Sequence, residues 1–169
     1  NNALLELTKD APLITTDISI GWQRTLPVTT YNNNDLYMAR FHFDDLCVKN
    51  QLGSSDFSSL AQTFDMIVIT DIPILSDSIT SADAARRFIT CIDELYEARV
   101  PLICCAAAPC SKLFQTTLNG VDAASDNGDQ EARHYGHTSG AWTNVKELKF
   151  AFRRAASRLV ELTSSGMSI

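Results

Sequence analysis

Residues 84–114 read AARRFITCIDELYEARVPLICCAAAPCSKLF, and the rest of the chain is placed around them. Ala85, Phe88, Ile89, Ile92, Leu95 and Tyr96 recur at helical spacing, so one face of the segment is apolar. Arg86, Asp93 and Glu97 fall on another face. Thr80 or Ser81 suits the cap of this helix, with Asp83 in the first turn, where negative charge is favoured. Arg99 closes the last turn, and Pro101 cannot continue it. Val100 to Cys105 is then a nearly unbroken apolar run, the pattern of a strand buried on both faces. Ala106 to Pro109 leave that strand through small residues. Helix, buried strand and small-residue loop make an α/β unit, and open α/β sheets usually meet their ligands at the carboxyl end of the strands.

Moving towards the N-terminus, Met66 to Thr70 is a second buried strand, MIVIT, ending in Asp71-Ile72-Pro73. An acidic residue just past a buried strand suits chemistry, and it suits a turn equally well. A helix capped by Ser54 or Ser55 precedes it and runs to about Thr63. Before that come a loop at Asn50–Ser55 and a short helix at Asp44–Val48. Leu36 to Phe43 reads as a strand, with Met38, Arg40 and His42 on one face and Ala39, Phe41 and Phe43 on the other. Residues 31–35 read as a turn. Asp17 to Thr30 reads as β with a turn or bulge at Gly21, and Pro27 points to an edge strand. The N-terminal part is thus expected to form a small antiparallel β element, preceded by the end of a helix at Asn2–Lys9.

Towards the C-terminus, Gln115 to Thr143 is rich in Gly, Asn, Asp, Ser and Thr and has little periodicity. It is expected to be a disordered insertion. His134 and His137 lie in it as His-Tyr-Gly-His, with no Cys or carboxylate at a convincing ligand spacing, so no metal site is expected. Asn144, with Glu147 completing a capping box, is expected to start a last helix, carrying Leu148, Phe152, Ala155, Ala156, Leu159 and Leu162 or Thr163 as an apolar stripe and stopping near Gly166. Five basic and two acidic residues between Lys146 and Glu161 make this helix locally positive.

The totals set limits on these readings. A chain of 169 residues with 45% hydrophobic and 20% charged residues suits one globular domain, 1–169. A net charge of −6 argues against nucleic acid as the main partner. No apolar run approaches the roughly 20 residues of a membrane-spanning helix. The cysteines at 47, 91, 104, 105 and 110 are odd in number and contain no Cys-x-x-Cys pair, which suits reduced, buried thiols in an intracellular compartment. The chain starts at Asn1-Asn2 with no initiator Met and reads as a fragment.

Four stretches carry a resemblance. Phe41-His-Phe43 with Leu46-Cys47, followed by Leu52-Gly53 and Asp56-Phe57, is similar to F-x-F-x-x-L-C…L-G-x-x-D-Y. Asp71-Ile-Pro73-Ile-Leu75 resembles D-[IV]-P-x-L. Residues 85–97, ARRFITCIDELYE, resemble A-R-R-F-I-T-L-[IV]-D-x-L-Y-E. Phe150-Ala-Phe-Arg-Arg154 with Ser157-Arg-Leu159 resembles F-A-F-x-R-x-x-S-R-L. These patterns, in this order, resemble the ZapE-like (AFG-one-like, lactation-elevated) P-loop ATPases of the AAA+ type. Cys91, Phe57 and Arg153 depart from the family's usual Leu, Tyr and acidic residue.

The resemblance implies a partial AAA+ type P-loop fold within the α/β class. It also implies Mg-ATP-dependent work on protein clients, a homo-oligomer, and a mitochondrial location in a eukaryote or a cytoplasmic one in a bacterium. Neither the Walker A loop, G-x-x-x-x-G-K-[ST], nor the Walker B pair occurs in this chain. It therefore reads as the C-terminal half of such an ATPase, which would need its N-terminal half as partner to hold ATP and Mg. Within this half, the resemblance makes Arg154 and Arg87 candidates for phosphate-sensing or arginine-finger roles, and Arg86 and Arg158 candidates for nucleotide contacts. The alternative is a non-enzymatic protein-binding module that uses the basic C-terminal helix.

Overall fold

A computed structural model describes residues 13–33, 36–76, 82–115 and 139–165. The expected helix end at Asn2–Lys9, the caps at Thr80 and Ser81, residues 116–138 of the expected insertion with His134 and His137, and the stop at Gly166 lie outside the described residues.

Strands β1 (Ile14–Ile20), β2 (Arg24–Asn33), β3 (Leu36–His42), β4 (Met66–Ile72) and β6 (Leu102–Ala106) form one sheet in the order β1-β2-β3-β4-β6. The antiparallel element exists, but it is no separate unit: β3 pairs antiparallel with β2 and parallel with β4, so both halves share it. Asn33 pairs with Leu36, which makes residues 31–33 strand rather than the expected turn. Pro27 does not mark an edge strand, because β2 lies between β1 and β3. Pairing of β2 with β3 begins only at Thr29, so at Pro27 the strand has β1 alone as neighbour and its missing N–H costs nothing on the other side.

Strand β4 is buried at all of Met66 to Thr70, as its unbroken apolar run requires. Strand β6 differs from expectation. Only Leu102 is fully buried and Ile103 to Ala106 are half-buried, because β6 pairs with β4 alone and is an edge among the described strands.

The parallel part is built from two successive βαβ crossovers, β3–α1–β4 and β4–α2–β6, with α1 spanning Ser54–Thr63 and α2 Ala82–Ala98. Helices α1 and α2 pack on each other, and the last helix, α3 (Ser139–Ser165), packs on α2 and on β6. Helix α3 starts five residues before Asn144, so Asn144 and Glu147 sit inside it rather than at its cap, and residues 139–143 are helical rather than part of an insertion.

Under the helices, Ala39, Phe41, Ile67, Ile69 and Leu102 of the sheet meet Phe57 and Leu60 of α1, Phe88, Ile92 and Leu95 of α2, and Phe152, Ala155 and Leu159 of α3. Tyr31, Met38, Met66 and Val68 form a smaller cluster on the other face of the sheet. A run of rings joins the elements: Phe43 to Phe88 at 5.5 Å, Phe88 to Phe114 at 6.2 Å, Phe114 to Phe152 at 5.1 Å. Each such pair contributes about 0.5–1.5 kcal/mol beyond the area it buries. Phe114 belongs to a short strand β7 (Phe114–Gln115), which pairs in parallel with β5 (Leu75–Ser76) and so ties the exit of β4 to the exit of β6.

The N-terminus of α1 explains one of the family-like motifs. Gly53 is the N-cap, and neither expected serine side chain caps the helix. Asp56, three residues on, accepts from the Gly53 N–H at 3.0 Å and forms an ion pair with Arg24 at the start of β2. A carboxylate is favoured there by the helix dipole. Leu52 and Phe57 on either side are buried, so the Leu-Gly…Asp-Phe spacing fastens α1 to the β1–β2 hairpin.

Candidate functional site

Two of the four arginines that the sequence singled out, Arg154 and Arg158, meet where α2 crosses α3. Asp93 on α2 accepts from Arg158 Nη1 at 2.6 Å and from Arg154 Nη2 at 2.7 Å. Arg154 and Arg158 are four residues apart and so share a helix face. Arg158 also reaches Glu97 at 3.4 Å, and its guanidinium lies 4.7 Å from the centre of the Tyr96 ring. The Tyr96 hydroxyl donates to Glu161 Oε2 at 3.0 Å, which raises the phenol's pKa because the bond holds its proton beside a carboxylate. An open groove of about 500 Å³ beside this cluster is lined by Tyr96, Glu97, Arg99, Pro101, Glu161 and Leu162.

The arginines differ in what they have left to offer. Arg158 is mostly buried, with its donors shared between two carboxylates. Arg154 holds Asp93 through one nitrogen and its side chain is 55% exposed, so the rest of its fork faces solvent. Arg87 donates to the Cys47 carbonyl at 2.9 Å and so braces the π-helical turn Asp45–Lys49. Arg86 pairs with Asp83 at 3.1 Å one turn earlier on α2. Arg86 and Arg87 thus find these partners apart from Asp93, and Arg154 and Arg158 are brought together on it.

A second cluster forms at the carboxyl ends of the parallel strands. His42, the last residue of β3, places Nε2 2.9 Å from Asp71 Oδ2. Asp71 has φ 58° and sits in the β4–β6 register shift between Ile69 and Ile72. A non-glycine residue in the left-handed region is held there by its surroundings. Here the Ala107 N–H donates to the Ile72 carbonyl at 2.9 Å and fixes the bulge. Asp71 is therefore not the turn residue the sequence suggested: it stays within β4, in the bulge, and sets its carboxylate beside a neighbouring imidazole. Asp71, Pro73, Cys105 and Ala106 line an open groove of about 440 Å³ at this end of the sheet. The sequence placed His42 only on a strand face. The signal that finds its partner is the parallel register, which sets His42 opposite Thr70, one residue before Asp71.

The five thiols divide by environment. Cys47 and Cys91 are buried, and burial raises both pKa values, that of Cys91 to about 12, so neither is a ready nucleophile. Cys104, Cys105 and Cys110 are half-buried rather than fully buried. Among the described residues no group of three or more His, Cys, Asp or Glu is arranged to hold a metal ion. No described helix is long and apolar enough to cross a membrane.

The profile of the AFG1-like ATPase family matches residues 2–122. The chain belongs to the AFG1-like ATPase family. It is 33% identical over 125 residues to the uncharacterized protein C115.02c of Schizosaccharomyces pombe, covering 74% of this chain and 27% of that one. It is 33% identical over 123 residues to lactation elevated protein 1 homolog B of Danio rerio, covering 71% and 24%. With the cell division protein ZapE of Escherichia coli it shares 30% over 122 residues, covering 72% and 24%. The chain spans about a quarter of the length of these relatives. AFG1-like membership accounts for the motifs on α2, and the structure supplies their physics. The Asp of the ARRFIT…D…LYE stretch is Asp93, and it receives Arg154 and Arg158, two of the three arginines of the FAFRR…SR stretch.

Proposed function

We propose that this chain is the C-terminal part of a Mg-ATP-dependent AAA+ ATPase that acts on protein clients. Family membership carries the reading. The α/β sheet with its parallel strands agrees with it, and so does the absence from this sequence of G-x-x-x-x-G-K-[ST]. A P-loop binds phosphate through backbone N–H groups, a Lys and a Mg²⁺ ligand. The chain alone therefore neither binds nor hydrolyses ATP, and the longer parent protein does both, as a homo-oligomer. The compartment follows the host: mitochondrial in a eukaryote, cytoplasmic in a bacterium.

Within that reading Arg154 is the arginine that serves the nucleotide. It is anchored to Asp93 at one nitrogen and keeps free donors in solvent, the arrangement an arginine needs to meet a phosphate oxygen without losing its position. Arg158, with its donors on Asp93 and Glu97, positions Asp93. Arg86 and Arg87 keep structural roles at the start of α2.

The test is ATP turnover by the parent carrying Arg154→Lys, which keeps the charge and removes the bidentate fork. Turnover is expected to fall at least tenfold, about 1.4 kcal/mol in the barrier, with the melting point unchanged. Normal turnover removes the nucleotide role from Arg154. A parent that hydrolyses no ATP with either residue removes the enzymatic reading altogether. What then remains is a protein-binding module using the outer face of α3, where Phe150 and Val160 are exposed beside Arg153.

A further inference from the structure

The sheet face turned away from the helices carries a second group of polar side chains. Arg40 and His42 lie on that face, because their neighbours Ala39, Phe41 and Phe43 point into the helix-covered core. The register adds to them. Arg40 stands opposite Thr29, Thr29 opposite Thr15, and His42 opposite Thr70. Residues opposite each other on paired strands share a face, so neighbouring strands β1 to β4 deliver these side chains to one place. Thr15, Thr29, Arg40, His42, Asp45 and Thr70 line a groove of about 200 Å³ there. Beside it the same face is apolar and buried, at Tyr31, Met38, Met66 and Val68.

The charges of the groove leave one over. Asp71 meets His42 Nε2 at 2.9 Å, and Lys49 donates to Asp45 Oδ1 at 2.9 Å. Arg40 is exposed and has no carboxylate partner among the described residues. Asp17, two residues on from Thr15 on the same face, does not line the groove. The Thr70 hydroxyl donates to the Phe41 carbonyl at 3.4 Å, whereas those of Thr15 and Thr29 have no hydrogen-bond partner among the described residues. A guanidinium has donors only, and a hydroxyl donates readily to a charged acceptor. The groove thus presents one positive charge and a row of donors, which suits an anion rich in acceptor oxygens. A phosphate group is such an anion, and it takes a guanidinium through two parallel bonds. The volume admits a phosphate with a few further atoms and is too small for a nucleotide.

We propose that this groove binds a phosphate dianion, free or as a small phosphomonoester, with Arg40 as the charged anchor and Thr15 and Thr29 as hydroxyl donors. The donors stand on paired strands, so little has to be ordered when the ligand arrives. Asp71 holds the His42 ring as one wall of the groove, and Lys49 holds the Asp45 carboxylate at another. The site is on the opposite face of the sheet from Asp93 and Arg154, and it is independent of the nucleotide role proposed for Arg154.

The test titrates the whole chain, isotope-labelled, with sodium phosphate and separately with methyl phosphate, and follows the backbone amide signals at fixed pH and ionic strength. Sodium chloride is the control. Saturable shifts confined to the neighbourhood of Thr15, Thr29 and Arg40 are expected from phosphate. Saturation by methyl phosphate as well supports a site that takes esters, and saturation by phosphate alone supports one for the free ion. Arg40→Gln should weaken binding by at least about tenfold and Thr29→Val by about threefold. Both side chains lie at the open groove, so the amide spectrum and melting point should stay those of the wild type. Arg153→Gln, which removes an exposed charge from α3, should leave binding unchanged. Shifts that chloride reproduces, that do not saturate or that spread over the whole surface overturn the proposal. So does a folded Arg40→Gln variant that binds phosphate as the wild type does, or one matched in its loss by Arg153→Gln.

Discussion

Asp93 of α2 and Arg158 of α3 are 65 residues apart in sequence and 2.6 Å apart in space, and Arg154 closes on the same carboxylate at 2.7 Å. This relationship fixes the long last helix against the α/β unit. Asp93 is mostly buried, so removing it leaves a largely buried guanidinium with only the exposed Glu97 carboxylate at 3.4 Å and the Tyr96 ring beside it. Asp93→Ala is expected to lower stability by about 1.5–3 kcal/mol, and Arg154→Ala, from a side chain mostly in water, by less than about 1 kcal/mol. A double-mutant cycle on Asp93 and Arg158 in urea melts should give a coupling of about 1 kcal/mol or more. Additive losses would mean that the pair does not act as a unit.

Arg99 ends α2 with φ 58°, its N–H bonded to the Tyr96 carbonyl at 3.1 Å and the Val100 N–H to the Leu95 carbonyl at 3.0 Å. These are the two bonds of a Schellman ending, in which glycine is the usual residue at this position. Arg99→Gly is expected to hold or raise stability by up to about 1 kcal/mol, whereas Arg99→Val, β-branched in the left-handed region, lowers it by about 1–2 kcal/mol. Thermal melts of the two variants decide this. A valine variant as stable as the glycine variant would contradict the assigned backbone.

Gly21 stands where a Cβ would come 2.9 Å from Asp56 Oδ1 and 3.2 Å from Ser55 Oγ. That carboxylate is not free to move, because its other oxygen holds Arg24 and the Gly53 N–H. Gly21→Ala is expected to cost about 1–3 kcal/mol, and Gly53→Ala, which meets nothing within 4 Å, under about 1 kcal/mol. Equal midpoints in denaturant would show that the contact at Gly21 yields easily.

Cys110 has a pH signature. Its pKa is lowered to about 6, chiefly by hydrogen bonding from Cys104 against the opposing effect of burial, so its reactive thiolate appears at lower pH than an ordinary cysteine's. Iodoacetamide labelling of Cys110 should rise with pH through about 6 and level off above about 7, where an ordinary thiol near 8.5 is still gaining reactivity. Mass spectrometry of the labelled peptide follows the rate. A rate still climbing steeply in mildly alkaline solution would show that Cys110 has no such assistance.

Much of this was legible in the sequence, because period and composition speak directly about local burial. The α2 stripe of Phe88, Ile92 and Leu95 and the doubly buried MIVIT run follow from spacing alone. What escaped the sequence depends on contacts between distant segments. Asp93 reads as a residue facing solvent until α3 is laid beside it. Val100–Cys105 has the composition of a central strand, and only the absence of a further described neighbour makes β6 an edge. Pro27 signals a strand with one open side, which is true of that position and not of β2 as a whole. The His42–Asp71 pair needs the parallel register, which is not a periodic feature that a linear pattern expresses.

Whether this chain is part of a Mg-ATP-dependent ATPase is decided by Mg²⁺-dependent ATP turnover, run side by side on this chain alone and on the longer protein that carries it. Saturable turnover by the longer protein, lost when Mg²⁺ is chelated, is expected, with neither turnover nor micromolar binding of a fluorescent ATP analogue by this chain alone. ATP binding by the isolated chain, or a longer protein that turns over no ATP, would contradict the proposed function.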